Sequence, residues 1–161
     1  MLYFAYGMNT NRAGMAQRCP AARALGAAVL PGWRFRFAGP ADVQRDHRHS
    51  VAGVLWDITT PCLASLDNLE GYPFYYNRQW VPVNYKGHTV SALVYHMQPG
   101  HRNEDPSLWY FETVMEGYRE HGVVTDQLWA NFPPDRYQVL QKNNTWDRLT
   151  EIRDDSILIE L

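Results

Sequence analysis

The sequence predicts an α+β domain with a mainly antiparallel sheet or barrel. Three observations predict it. Apolar or alternating runs of strand length recur along the chain up to Met97. Two stretches, around 60–70 and 108–121, carry helix-start residues and an apolar face. The strands and helices do not alternate as βαβ units, which points away from a doubly wound parallel sheet. At 161 residues the chain has the size of one domain, enough to bury roughly two thirds of the surface its unfolded form exposes.

Leu2–Tyr6 reads as a buried strand that breaks abruptly at Gly7-Met8-Asn9. Asn9 or Asn11 then caps a short helix running to about Arg18, closed by Cys19-Pro20. Ala22–Leu30 and Trp33–Phe37 read as two strands joined through Pro31-Gly32. The second alternates as Trp-Arg-Phe-Arg-Phe, which points Trp33, Phe35 and Phe37 inward and leaves Arg34 and Arg36 in water. Residues 40–50 are polar and without period, so they read as a loop before the strand Val51–Ile58.

Thr60-Pro61 starts a helix with Leu63, Leu66 and Leu69 on one face, and Glu70-Gly71 ends it. Tyr76–Tyr85 and Thr89–Met97 pair as a hairpin across Lys86-Gly87-His88. Pro106-Ser107 caps a helix from Leu108 to about His121, with Leu108, Phe111, Met115 and Tyr118 on its apolar face and Gly122 as its stop. A further helical stretch covers about Thr125–Phe132. After Pro133-Pro134 a polar tail runs from Asp135 and finishes in Ile157–Leu161, an added strand or a partner-binding end.

The formal net charge of −2 gives no reason to expect nucleic acid or an anionic membrane as partner. Residues 1–60 carry seven Arg against three Asp, and residues 61–161 carry eight basic and fourteen acidic residues; two differently charged faces follow. A nucleic-acid reading would need a contiguous basic face, and the basic residues are scattered. Cys19 and Cys62 make neither a disulfide framework nor a zinc pattern, which favours a reducing compartment. No signal-peptide pattern opens the chain and no apolar run approaches the ~20 residues that span a bilayer, so the expected location is cytoplasmic. Aromatic content is high at 14%, with ten Tyr and six Trp, and part of it is expected to line a pocket or an interface.

Common nucleophile and cofactor motifs are missing, with no GxSxG, GxGxxG, P-loop, HExxH or CxxC. Asp46-His47-Arg48-His49 brings two histidines together, but the intervening Arg repels a cation and no third ligand is evident; it reads as a solvated loop. Glu70 is more informative. It ends a helix, where the macrodipole disfavours an anion, and Tyr72, Phe74, Tyr75 and Tyr76 follow to surround it with rings. Both effects push a carboxyl pKa upward, toward that of a base useful near neutral pH. The break at Tyr6-Gly7-Met8-Asn9 reads either as a tight turn feeding a capped helix or as a nest of backbone N–H groups suited to a carboxylate or an oxyanion.

Together, "FAYGMN" (residues 4–9) and "LDNLEGYPFYYNRQWVPV" (residues 66–83) resemble the γ-glutamylcyclotransferase superfamily, which includes the γ-glutamylamine cyclotransferase-like and AIG2-like proteins. The family signatures have the forms F-x-Y-G-S-N and L-D-x-x-E-G-x-P-x-x-Y-x-R-x-x-V-x-V. Weaker agreement extends from about residue 3 to residue 122. The resemblance implies a small, mixed, mainly antiparallel β-barrel flanked by helices, spanning residues 1–134, with residues 135–161 as an extension on or beside it. It implies Glu70 as the acid/base, Tyr6, Gly7, Met8 and Asn9 as the loop holding the glutamyl end, and Tyr76 and Tyr110 as pocket residues.

The implied reaction cyclises a γ-glutamyl amide to 5-oxoproline and releases an amine or amino acid, with no metal or cofactor required. Met8 departs from the family serine: the backbone N–H is kept, the hydroxyl is lost, and a longer side chain enters the pocket. That departure and the extra tail motivate the alternative, a non-catalytic small-molecule-binding or inhibitory protein using the same pocket.

Overall fold

Five strands close into a small barrel in the computed structural model, which describes the backbone of residues 1–157 and the side chains of residues 1–145. These strands are β1 (Leu2–Ala5), β2 (Arg23–Phe37), β3 (Ala41–Asp57), β4 (Tyr76–Tyr85) and β5 (His88–Met97). They run around the barrel in the order β1-β3-β2-β4-β5. Neighbours are antiparallel except at the seam, where β1 meets β5 in parallel with Tyr3 opposite Leu93. The helices are α1 (Arg12–Arg18), α2 (Thr60–Glu70), α3 (Leu108–Glu120), α4 (Asp126–Asn131) and α5 (Pro134–Ile157). The expected α+β class and mainly antiparallel barrel are what the chain adopts.

The β4–β5 hairpin follows from its turn. Lys86 and Gly87 both have positive φ, 47° and 78°, as the tightest hairpin turns demand. That fixes a register in which Val81 faces Ala92 and Val83 faces Val90, and Val81, Ala92 and Val83 are buried.

The β2–β3 ribbon departs from expectation. Pro31-Gly32 is a bulge inside one 15-residue strand rather than a turn between two, a place where a strand accepts proline. Residues 40–50, expected as a loop, mostly belong to the 17-residue β3, with Trp33 opposite Arg45 and Phe35 opposite Val43. The far part of the ribbon is solvated around Arg45 and His47–Ser50, so backbone pairing holds it without the alternation that a buried face imprints. Trp33, Phe35 and Phe37 point inward as expected and Arg34 is exposed.

Arg36 is not in water. It is buried opposite Asp42, whose Oδ2 accepts from both Nε and Nη2 at 2.8 Å. Nη1 donates to the carbonyl of His101 (2.8 Å) and to Asn103 Oδ1 (3.1 Å), while Asp42 Oδ1 accepts from the Met97 amide at 2.8 Å. The alternation rule misplaced Arg36 because a cross-strand carboxylate stands ready for it, which makes its burial tolerable.

On α2 the buried residues are Cys62 and Leu66; Leu63 is partly buried, while Leu69, expected on the same face, is 45% exposed at the last turn. On α3 the expected Phe111, Met115 and Tyr118 are buried together with Val114 and Gly117, and Leu108 is half-buried. The segment after Pro133, expected as a polar tail, begins as helix α5. Its first turn sets Tyr137 against Phe111 (5.4 Å between ring centroids) and Trp129 (5.5 Å). The ending expected for Ile157–Leu161 lies outside the described residues from 158 onward.

Gly117 lets α3 approach the turn after β1. A Cβ there would lie 2.3 Å from Thr10 Oγ1 and 2.6 Å from the Asn11 nitrogen. Alanine gains about 1 kcal/mol of helix propensity over glycine, but overlap with immovable backbone costs about 1–3 kcal/mol or more. Gly117→Ala is therefore expected to lower the thermal midpoint, and an unchanged or raised midpoint would contradict this packing.

Candidate active site

The strand β1 ends where Gly7 begins a single 3-10 turn, Met8–Thr10, and no side chain caps that turn. Its first N–H groups therefore lack partners within the turn. Asn11 then caps α1, its Oδ1 accepting from the Gly14 amide at 3.0 Å. Gly7 sits tightly: a Cβ there would come within 2.9 Å of the Tyr110 hydroxyl. Across from this turn, α2 starts on a Thr59 cap with Pro61 in its first turn and stops at Gly71, whose φ of 61° is left-handed. Glu70 is thus held at the C-terminus of α2.

The two segments meet through Asn9. Its Nδ2 donates to Glu70 Oε1 at 2.9 Å and to the Tyr3 hydroxyl at 3.0 Å, and its Oδ1 accepts from Arg18 Nη1 at 3.0 Å. Glu70 Oε2 has no hydrogen-bond partner among the described residues.

Between them lies a cavity of about 180 Å³, smaller than the roughly 300–1,000 Å³ of pockets for drug-sized ligands. Tyr6, Gly7, Met8, Asn9, Glu70, Tyr76 and Tyr110 all line it, as do Tyr3, Pro40, Ala41, Leu69, Tyr75 and Tyr95. Glu70 is the only charged side chain in that lining. Burial pushes its carboxyl up to about 7, against the opposing pull of the Asn9 hydrogen bond and the Arg18 charge. Loss of solvent is thus the cause of the rise.

The rings differ from those expected. Tyr75 and Tyr76 line the cavity, but Tyr72 lies under the Arg78 guanidinium at 4.5 Å and Phe74 is 89% exposed. The turn at 71–75 carries those two side chains away from the carboxylate. Tyr3 and Tyr95, from β1 and β5, join the wall instead.

Most of the cavity's tyrosines are locked in place. The Tyr6 hydroxyl donates to the Tyr95 carbonyl and Tyr76 to the Ala41 carbonyl, both at 2.7 Å. The Tyr110 hydroxyl accepts from the Ala41 amide at 3.0 Å and from the Met8 amide. Burial raises Tyr3, Tyr6 and Tyr76 well above the usual phenol range and pushes Tyr110 up to about 12, so all four stay neutral near pH 7. Tyr3 and Tyr110 accept from protein N–H groups and donate to no described residue, which leaves each a proton to offer a ligand.

Tyr3, Tyr95, Ala41 and Arg18 were not singled out in the sequence. Tyr3 stands beside the quoted signature and shares a strand face with Ala5; nothing local marks the other three, which reach the site only through barrel closure and the end of α1. Asp46-His47-Arg48-His49 lies away from the cavity on β3, with His49 Nδ1 2.9 Å from Asp46 Oδ2. The arginine and histidine contacts hold the Asp46 carboxyl below its usual range. No group of three His, Cys, Asp or Glu side chains suited to a metal ion occurs among the described residues. No helix among them is long and apolar enough to cross a membrane.

Among solved structures, one described as a gamma-glutamyl cyclotransferase superposes with a TM-score of 0.70 at 24% identity, over 88% of this chain and 86% of that one. An uncharacterized protein from Homo sapiens superposes with a TM-score of 0.70 at 25% identity, over 87% and 85%. YkqA from Bacillus subtilis gives 0.66 at 23% identity, over 89% of this chain and 53% of its own. At 23–24% identity the likeness carries the fold alone. No curated protein matches the chain in sequence. The family profile "Gamma-glutamyl cyclotransferase, AIG2-like" matches residues 3–119, a span that contains the turn after β1, the Asn9–Glu70 contact and Tyr110; the chain belongs to that family.

Proposed function

We propose that the protein is a γ-glutamylcyclotransferase that converts a γ-glutamyl amide into 5-oxoproline and a free amine or amino acid, with Glu70 as general acid/base. The observation that carries this reading is the lone carboxyl of the cavity, raised to about 7 with one oxygen bonded to Asn9 and the other unpartnered. Such a group both accepts and returns a proton near neutral pH.

The reaction asks little of the protein beyond that. The substrate's α-amine attacks its own γ-carbonyl, so the nucleophile arrives attached, and holding the chain folded supplies orientation. The α-ammonium loses one proton to solvent; Glu70 then takes a second from the α-amine as the new C–N bond forms and hands it to the departing nitrogen as the old C–N bond breaks, leaving one hydrogen on the lactam nitrogen. The Asn9 backbone amide of the turn after β1 and the free hydroxyl proton of Tyr110 are the donors for the glutamyl end and for charge developing on the carbonyl oxygen. The Met8 amide holds the Tyr110 hydroxyl in place, and the Met8 residue lines the cavity. A cavity this small suits the glutamyl part of the substrate, with the leaving amine toward the exposed Leu69 and Tyr75.

Mass-spectrometric detection of 5-oxoproline from a panel of γ-glutamyl amino acids, γ-glutamylamines and glutathione tests the proposal. Product from one class names the donor. Silence from a folded protein, together with thermal stabilisation by a panel member, would replace it with a binding role. The pH profile gives a second expectation. Since kcat/KM reports groups of the free enzyme, it should rise about tenfold per pH unit below 7 and level off above it. An acid limb centred near 4.5 would contradict the role given to Glu70.

A further inference from the structure

Arg18 is the last residue of α1, half-buried, and it forms no ion pair among the described residues. Its hydrogen bond goes to a neutral amide, Asn9 Oδ1, at 3.0 Å. A guanidinium only donates, so it forces the amide oxygen toward itself and the NH2 group the other way. The two N–H bonds then fall on Tyr3 and on Glu70 Oε1. The opposite amide orientation would set oxygen against carboxylate and nitrogen against guanidinium, a clash of acceptors on one side and donors on the other.

We infer that Arg18 is the positioning residue of this site: by locking the Asn9 amide it ties down Glu70 Oε1 and leaves Oε2 to face the cavity as the oxygen that exchanges the proton. The inference rests on the proton-shuttle role proposed for Glu70. The groups facing Glu70 are Tyr3 from β1, Tyr6 and Asn9 from the segment after it, Arg18 from α1, Tyr76 from β4 and Tyr110 from α3. Arg18 is the cation among them, and the tyrosines are neutral throughout the working range. Arg18 therefore also favours the ionised carboxylate across the Asn9 bridge.

The test uses Arg18→Met, which keeps the aliphatic stem and removes donors and charge, and Arg18→Lys, which restores charge and one donor. Two readouts are taken: the pH profile of 5-oxoproline formation, and the titration of the Glu70 carboxyl by carbon-13 NMR, which needs no substrate. Arg18→Met should move the Glu70 midpoint and the acid limb upward by about one pH unit or more. Activity at pH 7 then falls about fivefold or more, with a smaller loss at pH 9, and Arg18→Lys recovers most of the shift. An unmoved midpoint overturns the inference, as does a uniform loss at every pH that Lys does not restore. If the wild type makes no 5-oxoproline yet Arg18→Met still moves the midpoint, the cyclotransferase reading fails and the relay stands. Should Arg18→Met not fold, Asn9→Ala, which cuts the relay at its centre, must give the same upward shift for the inference to hold.

Discussion

Replacing Glu70 with Gln should reduce kcat/KM by about 10²–10⁴-fold, the span typical of a lost general acid/base, while making the folded protein more stable at pH 8. The two effects share one cause. Burial raises the Glu70 carboxyl from 4.5 to about 7, so the native state holds that proton where the unfolded state has lost it. For such a group the native state is penalised as pH rises: the penalty is absent below 4.5, grows through the window from 4.5 to 7, and is complete above it. Its size is roughly 3 kcal/mol at about 1.4 kcal/mol per unit.

Gln keeps the shape, accepts the Asn9 hydrogen bond through its own oxygen and never ionises. The stability difference between the variant and the wild type should therefore be small at pH 4 and open in favour of Gln by pH 8. Denaturant melts at the two pH values read it directly. A variant that is destabilised equally at both would contradict a desolvated Glu70 anion, and one that retains most turnover would remove Glu70 from the mechanism.

Asp42→Ala should cost about 3–5 kcal/mol, because it strands the Arg36 guanidinium in a buried position and takes the acceptor from the Met97 amide as well. That is a large share of the 5–15 kcal/mol expected for a whole domain, and at 2–4 °C per kcal/mol it lowers the thermal midpoint by roughly 10 °C. The pair itself need not be stabilising against an apolar replacement. Arg36→Met combined with Asp42→Leu should recover most of the loss, since neither partner is then left charged and alone. An Asp42→Ala midpoint within about a degree of wild type would show that water reaches Arg36. Because Ala41 holds both Tyr76 and Tyr110, the same substitution is expected to raise KM.

Where sequence and structure agree, a local rule sufficed. Gly71 after a Pro61-started helix put Glu70 at a helix end, and Lys86-Gly87 set the β4–β5 register. Each of those features is decided by neighbours in the chain. Where they part, the deciding contact is remote. Arg36 was assigned to water by alternation, and only its pairing with Asp42 across the β2–β3 ribbon takes it inside. Pro31-Gly32 carries turn chemistry yet forms a bulge, because β3 continues past it with backbone partners for both sides. Residues 44–50 show no period since a solvated ribbon imposes none.

The site follows the same division. Glu70 and the turn around Asn9 were legible as two segments, one ending a helix and one breaking a strand. Their contact comes from barrel closure. Tyr72 and Phe74 were expected around the carboxylate because they follow it in sequence, but the turn sends them elsewhere, and Tyr3 and Tyr95 arrive from strands β1 and β5. Arg18 gave no signal at all: an arginine at a helix C-terminus is ordinary dipole chemistry, and its bond to Asn9 exists only in three dimensions.

The proposed proton shuttle requires Glu70 to be a base near neutrality while the cavity is empty. Titrating its carboxyl carbon by NMR in the wild-type protein, assigned by comparison with Glu70→Gln, measures that property without any substrate. A midpoint near 7 is the result this structure predicts. A midpoint at the ordinary 4.5 would mean that water solvates the carboxylate, and the proton shuttle drawn from its burial would be wrong.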